Sequence, residues 1–413
     1  MRLVDRKSSH IKNVLHGFFL SVGTTVAEPS TILPLIIHYF SSSSLVVGIF
    51  ASLLKGGAIF VQMVSAFYAQ SYRYMMPYLR LVFLARFLAW FGIGVVIAIF
   101  GESSPYITLW GVGIGLFVFS FSAGFGAIYF KDIQAKIFSN RFRGKSMAYR
   151  QFFSGFGAIL SGTTAGWFLA TFDPPTSFAY LFMVSAIIMA FGLVAFATIE
   201  EPPKEKIKER EESFSSFLKD SFVYFYKSKT LKNQVLAYLF SYAHLIALPF
   251  IILDAKENIE LSGYMVGSLL SIQMAGGMLS NILWGKISSA GGDIKIIYIS
   301  FFMFILSFIL ASLFHNIYIY GVIFFLIGAS IDGIRLAFGN LILIIAPQEK
   351  RPIYIALQAN ISSLGLFFPI VGGTILSISS YTTIYVISIL LLGVGLIYTK
   401  MGANLIEERY SES

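Results

Sequence analysis

The chain has 413 residues, of which 56% are hydrophobic, 16% aromatic and only 12% charged, with a mean hydropathy of +0.77. No water-soluble domain of this size has that balance, so the function lies in or across a membrane. There is no cysteine, which excludes disulfides, thiol nucleophiles and thiolate metal sites, and the net charge of +9 needs an account other than nucleic-acid binding.

A run of about 20 apolar residues crosses the hydrocarbon core as a helix. Twelve such runs follow one another with little polar sequence between them, near 13–39, 45–69, 78–100, 106–129, 147–171, 176–199, 231–253, 263–285, 294–314, 317–345, 353–377 and 381–403. The first carries Glu28 and two prolines and is too long for a signal-peptide core, so it is expected to be retained. If the spans alternate from a cytoplasmic N-terminus, 26 of the 30 Lys and Arg residues fall on the cytoplasmic side and only Lys256 outside. This is the positive-inside pattern, and it predicts cytoplasmic termini in a bacterial-type inner membrane.

Most connections are short. Between spans 6 and 7, Glu200-Glu201-Pro202-Pro203 stops the helix and a mixed-charge run from Lys204 to Glu212 follows. Phe214, Phe217, Leu218, Phe222 and Phe225 then recur at helical spacing, which predicts an amphipathic helix at the cytoplasmic interface. The expected organisation is a six-span bundle over 1–199, a linker over 200–230, and a second bundle with a short tail over 231–413.

The two halves repeat. Leu33-Pro34-Leu35-Ile36-Ile37 matches Leu248-Pro249-Phe250-Ile251-Ile252. Val47-Gly48 and Gly57 line up with Val266-Gly267 and Gly276, and Arg143 to Ala148 with Arg351 to Ala356. An even number of spans per half gives both halves the same orientation, as in transporters built from parallel repeats.

After span 8 the chain reads Gly285-Lys286-Ile287-Ser288-Ser289-Ala290-Gly291-Gly292-Asp293-Ile294-Lys295. With twelve spans, a parallel repeat and a central linker, this resembles the loop motif of the major facilitator superfamily. Ser289 stands where that family has an acid. In the first-half copy, Ala66 to Arg73, Gln70 takes that position and Arg73 ends the motif. The resemblance implies an all-α membrane fold of two pseudo-symmetric six-helix bundles. It also implies a mid-depth cavity lined by spans 1, 4, 7 and 10, and a gating role for Gly285, Lys286, Gly291, Gly292, Asp293, Gln70 and Arg73. Span 5 lacks the proline of the family's antiporter signature, so drug–proton antiport is not carried over. The glycines of span 5 and Pro369, Gly372 and Gly373 of span 11 read as close packing or kinks.

Ionisable residues at bilayer mid-depth are costly and are functional candidates. Glu28 and Lys55 lie at similar depth on neighbouring spans and can pair. Asp332 and Arg335 are three apart on span 10 and share a face. Arg86 can snorkel toward an end of span 3. His244, near Tyr238, Tyr242 and Asn233, and Gln273, Asn340, Gln358 and Asn360 are the further pathway candidates. A purely structural reading of either charge pair, as a packing lock, stays open.

These features predict a secondary active transporter that moves a small organic solute by alternating access and couples it to protons. Three cations against two carboxylates in the spans lean toward an anionic or zwitterionic solute. The chain is expected to be a monomer in lipid, to use no cofactor or metal, and not to be an enzyme. Two alternatives remain at this stage: a transporter-like sensor or receptor, and a polytopic membrane enzyme built on Gly328-Ala329-Ser330 and His244. No phosphate-binding loop or His-Glu-x-x-His motif occurs.

Overall fold

The computed structural model describes residues 3–59, 61, 65, 69, 72–204, 225–226, 228–347 and 351–411. Among these residues the secondary structure is helical without a strand. Nine helical segments among them are long and apolar enough to cross a membrane by length and composition. Gln70 and most of the expected interfacial helix, including Phe214, Phe217, Leu218 and Phe222, lie outside the described residues.

The helices, in chain order, are α1 (Leu3–Thr25), α2 (Ile32–Phe40), α3 (Ser44–Gly56), α4 (Met76–Phe100), α5 (Pro105–Ile137), α6 (Asn140–Thr171) and α7 (Thr176–Ala197). They continue with α8 (Lys229–Ser241), α9 (His244–Asn258), α10 (Gly263–Ser289), α11 (Asp293–Leu313), α12 (Ile317–Ile345) and α13 (Arg351–Ser362). A 3₁₀ segment (Ser363–Phe367), α14 (Phe368–Leu376) and α15 (Tyr381–Ser411) complete the chain.

Spans 1, 7 and 11 are interrupted near prolines. Span 1 breaks between α1 and α2, where Pro29 has no N–H and its ring would crowd the carbonyl four residues back. At the end of α1 the Thr24 and Thr25 carbonyls accept from Ala27 N and Glu28 N, and the two threonine hydroxyls donate to the carbonyls of Leu20 and Ser21, so the backbone at the break keeps its partners. Span 7 breaks at Tyr242 and Ala243, upstream of Pro249, and Ser241 Oγ donates to the Tyr238 carbonyl. Span 11 tightens into the 3₁₀ segment before Pro369, with Ser362 and Ser363 donating to the carbonyls of Gln358 and Asn360. Proline breaks bridged by hydroxyls are how membrane helices tolerate irregular backbone.

The chain divides into two compact units. The first comprises residues 1–42, 53–211 and 261–271; the second comprises 43–52, 212–260 and 272–413. In the first, α1 packs along α6 and α7, and α4 packs on α5 and α7. Trp90 is fully buried, and its Nε1 donates to Gly23 O and Ser185 Oγ, both at 3.1 Å, which ties α4 to α1 and α7. In the second unit, α8 and α9 pack on α15, α9 also packs on α14, and α11 packs on α12 and α15.

The repeated glycines mark close approaches. In the second unit a Cβ on Gly48 would strike the Pro369 carbonyl, and one on Gly373 would strike the Ser44 carbonyl. In the first unit Gly267 packs on the backbone of Gly162 and Gly166. Gly57 lies against Ser120, and its sequence match Gly276 lies against the Phe325 carbonyl. Backbone-to-backbone contact of this kind needs small residues, because dispersion replaces the hydrophobic effect in lipid.

Candidate functional site

Arg335 projects from α12 into a cavity of about 310 Å³ in the second unit, lined also by Tyr238, Tyr242, Ile355, Gln358 and Ser362. Its Nη2 donates to Asp332 Oδ1 at 2.7 Å, yet the Arg335 side chain stays 61% exposed, so most of its donor fork is open. Asp332 is held more firmly. Its other oxygen accepts from Asn281 Nδ2 on α10 at 2.6 Å, and Gly277 leaves the carboxylate room. The i, i+3 spacing on a helix brings the two charges together; Asn281 then fixes the carboxylate so that it can orient the guanidinium.

The tyrosines reach the cavity because of the helix break. Tyr242 ends α8, and Gly365 of the 3₁₀ segment packs directly on its Cβ. Any larger residue at 365 would displace the ring. Tyr242 and Tyr238 hydroxyls lie 3.5 Å apart, and Tyr238 stacks on Phe338 with centroids 4.7 Å apart. Gln358, also on the cavity lining, donates to the Phe338 carbonyl at 3.1 Å. The set offers a cation, phenol hydroxyls and an amide above apolar walls. That combination can hold a small solute carrying one anionic group.

Glu28 and Lys55 lie in the first unit, 3.9 Å apart. Glu28 sits in the turn between α1 and α2 rather than on a helix, and its carbonyl accepts from Thr31 N and Leu33 N. Lys55 is half exposed, so the pair is loose. His244 stacks on Phe304, with centroids 4.3 Å apart, and its Nδ1–H donates to the Ser241 carbonyl at 2.7 Å. Gln273 is buried where Gly328 packs on its carbonyl. Neither residue is among those lining the Arg335 cavity.

The loop motif folds as its residue types require. Gly291 has φ +78°, the left-handed conformation that ends α10, and Gly292 N donates to the Ile287 carbonyl. Gly285 has open space around it and Lys286 is exposed. Asp293 is buried at the start of α11 and accepts from Ser288 Oγ at 2.6 Å and from Asn340 Nδ2 at 3.4 Å. Asn340 thus belongs to this loop cluster. In the first unit Arg73 is exposed, and its carbonyl accepts from Lys204 N and Lys136 Nζ.

Three groups escaped the sequence reading. Asn281 lies close to the end of span 8, where a polar side chain is ordinary, and so does not stand out. Glu201 was assigned to helix termination, yet it accepts from Met75 N and Met76 N at the start of α4 and from Lys136 Nζ at 2.6 Å. Arg150 is one of the 26 basic residues that the alternating topology places on the cytoplasmic side, whereas it turns into the first unit over Phe130. Only the spacing to its helix face could have signalled that.

A helical membrane protein with a broken first span in each half and a polar cavity has the build of a solute carrier. The sequence model of the Major Facilitator Superfamily matches residues 14–254 and again 232–412, and the chain belongs to that superfamily of transporters. No curated protein matches it by sequence. Among solved structures it is similar to a point mutant of the nucleoside transporter NupG, at 12% identity and a TM-score of 0.75, over 95% of this chain and 99% of that one. It is also similar to a bacterial homologue of the iron transporter ferroportin in an inward-facing state, at 11% identity and a TM-score of 0.70, over 97% and 100% of the chains. A D-xylose–proton symporter aligns at 13% identity and a TM-score of 0.66, over 96% and 98%. At these identities the likeness shows the twelve-span fold.

Proposed function

We propose that the chain is a secondary active transporter for a small organic solute with an anionic or zwitterionic group. It works by alternating access of its two six-span bundles and is driven by protons. Its setting is the inner membrane of a bacterial-type cell, with both termini cytoplasmic, and it acts as a monomer. The observation that carries this reading is the Arg335 guanidinium, which is anchored on one side by Asp332 and open on the other to a cavity of about 310 Å³. Arg335 holds the anionic group, Tyr238, Tyr242 and Gln358 select the remainder, and Asp332 exchanges the coupling proton. Protonation of Asp332 removes its hold on Arg335, which links the proton to the strength of the anion site. The nucleoside transporter and sugar–proton symporter of the same fold support a small polar organic cargo.

Flux in proteoliposomes tests it. Asp332→Asn keeps solute exchange but loses accumulation driven by a pH gradient. If Asp332→Asn accumulates solute as the parent chain does, protons do not act through this carboxylate. If Arg335→Gln also transports normally, the site assignment fails.

A further inference from the structure

A second cationic centre lies in the first unit, built from residues that join no ion pair found among the described residues. The Arg86 guanidinium, from α4, sits 4.3 Å from the ring centre of Phe119. That of Arg150, from α6, sits 4.8 Å from the ring centre of Phe130. His16 of α1 is 2% exposed and stacks on the same Phe130 at 5.0 Å, with Phe83 and Phe196 at 5.3 and 5.2 Å. Both His16 nitrogens and Arg86 Nε are buried without a hydrogen-bond partner among the described residues. Arg86 and Arg150 both bear on the His16 imidazole with charge of the same sign. Arg150 packs against Gly17, which leaves its side chain space beside α1.

This arrangement is out of balance. Taking an unpaired guanidinium out of water costs several kcal/mol, and here two of like sign share one aromatic-lined interior. A ring face returns only about 0.5–2 kcal/mol per cation. Guanidinium forks from two helices, an imidazole with unused nitrogens and walls of phenylalanine make the donor set that an oxyanion satisfies, by paired charge-assisted hydrogen bonds. Arg86 and Arg150 each keep part of their surface exposed, although Arg86 Nε is buried.

We infer that His16, Arg86 and Arg150 form a binding site for an oxyanion, a phosphate or carboxylate group, within the first unit; none of the three lines the Arg335 cavity. The group would bridge the two guanidiniums and take an N–H from His16. A free anion and an anionic lipid headgroup carry the same chemistry, and the test distinguishes them.

The full chain is purified in a maltoside detergent, and its thermal unfolding and calorimetric binding are followed with inorganic phosphate, acetate, or phosphatidylglycerol-doped micelles. Chloride at equal ionic strength is the reference. The series is repeated in the Arg335→Gln background, so that the outcome does not depend on the proposed transport site. Phosphate or acetate is expected to raise the unfolding temperature, and Arg86→Gln and Arg150→Gln each to weaken binding by about tenfold or more, while exposed Lys400→Gln leaves it unchanged. A shift with phosphatidylglycerol alone, lost in the same variants, assigns the site to a headgroup. Without ligand, Arg86→Gln should unfold at a higher temperature than the parent, because it removes an unmatched charge; a packing role for the cation would lower it. If Arg86→Gln does not fold, Arg150→Gln and Arg150→Lys decide, with the lysine retaining weakened binding. No binding of phosphate, acetate or lipid tighter than about 10 mM, or binding that survives Arg150→Gln, overturns the proposal.

Discussion

In the first unit α1 packs on α6 and α7, and α4 on α5 and α7; in the second, α9 packs on α14 and α15, and α11 on α12 and α15. In span terms these are the pairs 1–5, 1–6, 3–4 and 3–6, repeated as 7–11, 7–12, 9–10 and 9–12. Their polar interiors differ. Both units give carboxylates close partners: in the second, half-buried Asp332 has Arg335 and Asn281, and buried Asp254 has Tyr385 at 2.7 Å and Asn258 at 3.0 Å; in the first, Glu201 has Lys136 at 2.6 Å. The first leaves Arg86 and Arg150 over rings and pairs Glu28 with Lys55 only loosely. Helix packing is fixed by small residues and apolar faces that the repeat preserves. Buried charge is set by individual side chains, and these have diverged between the halves.

The ends of α4 and α11 give the sharpest contrast, and the largest expected effect. Glu201 is a nearly buried carboxylate that accepts from two backbone N–H groups and from Lys136, itself paired with Asp132 at 2.7 Å. Glu201→Ala leaves a half-buried ammonium and two helix-start donors short of a partner. It should destabilise the chain by about 3 kcal/mol or more, read by thermal or denaturant unfolding in detergent. Asp293→Ala removes the acceptor of only neutral hydroxyl and amide donors and should cost about 1–2 kcal/mol. Equal losses would show that the two ends are not built differently.

Arg335→Gln should weaken solute binding by roughly 10–100-fold, the worth of a charge-assisted hydrogen bond of about 1.5–3 kcal/mol, with little change in unfolding. Equilibrium binding and flux measure it. Gly48→Val and Gly267→Val test the shared frame. Each places a branched side chain against backbone, at Pro369 and at Gly162 and Gly166, and each should cost about 1–3 kcal/mol. A large loss for one and none for the other would break the equivalence. The smallest effect is expected at Lys55→Met. The lysine is half exposed and 3.9 Å from Glu28, so its loss should change stability by under about 1 kcal/mol.

The family and fold were legible from the sequence, because hydrophobic length, charge placement and glycine spacing are local properties that the bilayer reads directly. The pairing of Asp332 with Arg335 was legible for the same reason: helical spacing sets which residues share a face. Glu28 with Lys55 followed from depth alone, though the break at Pro29 moved Glu28 off the helix into a turn. What only the tertiary structure decided are the partners from distant segments: Asn281 on Asp332, Gly365 beneath Tyr242, Glu201 at the start of α4, and Arg150 turned inward over Phe130. His244 and Gln273 show the reverse case, polar residues on candidate spans that pack against Phe304 and Gly328. Sequence periodicity gives the face a residue occupies. The rotation of that helix against its neighbours, set by close approaches of glycine and proline backbones, decides what the face meets.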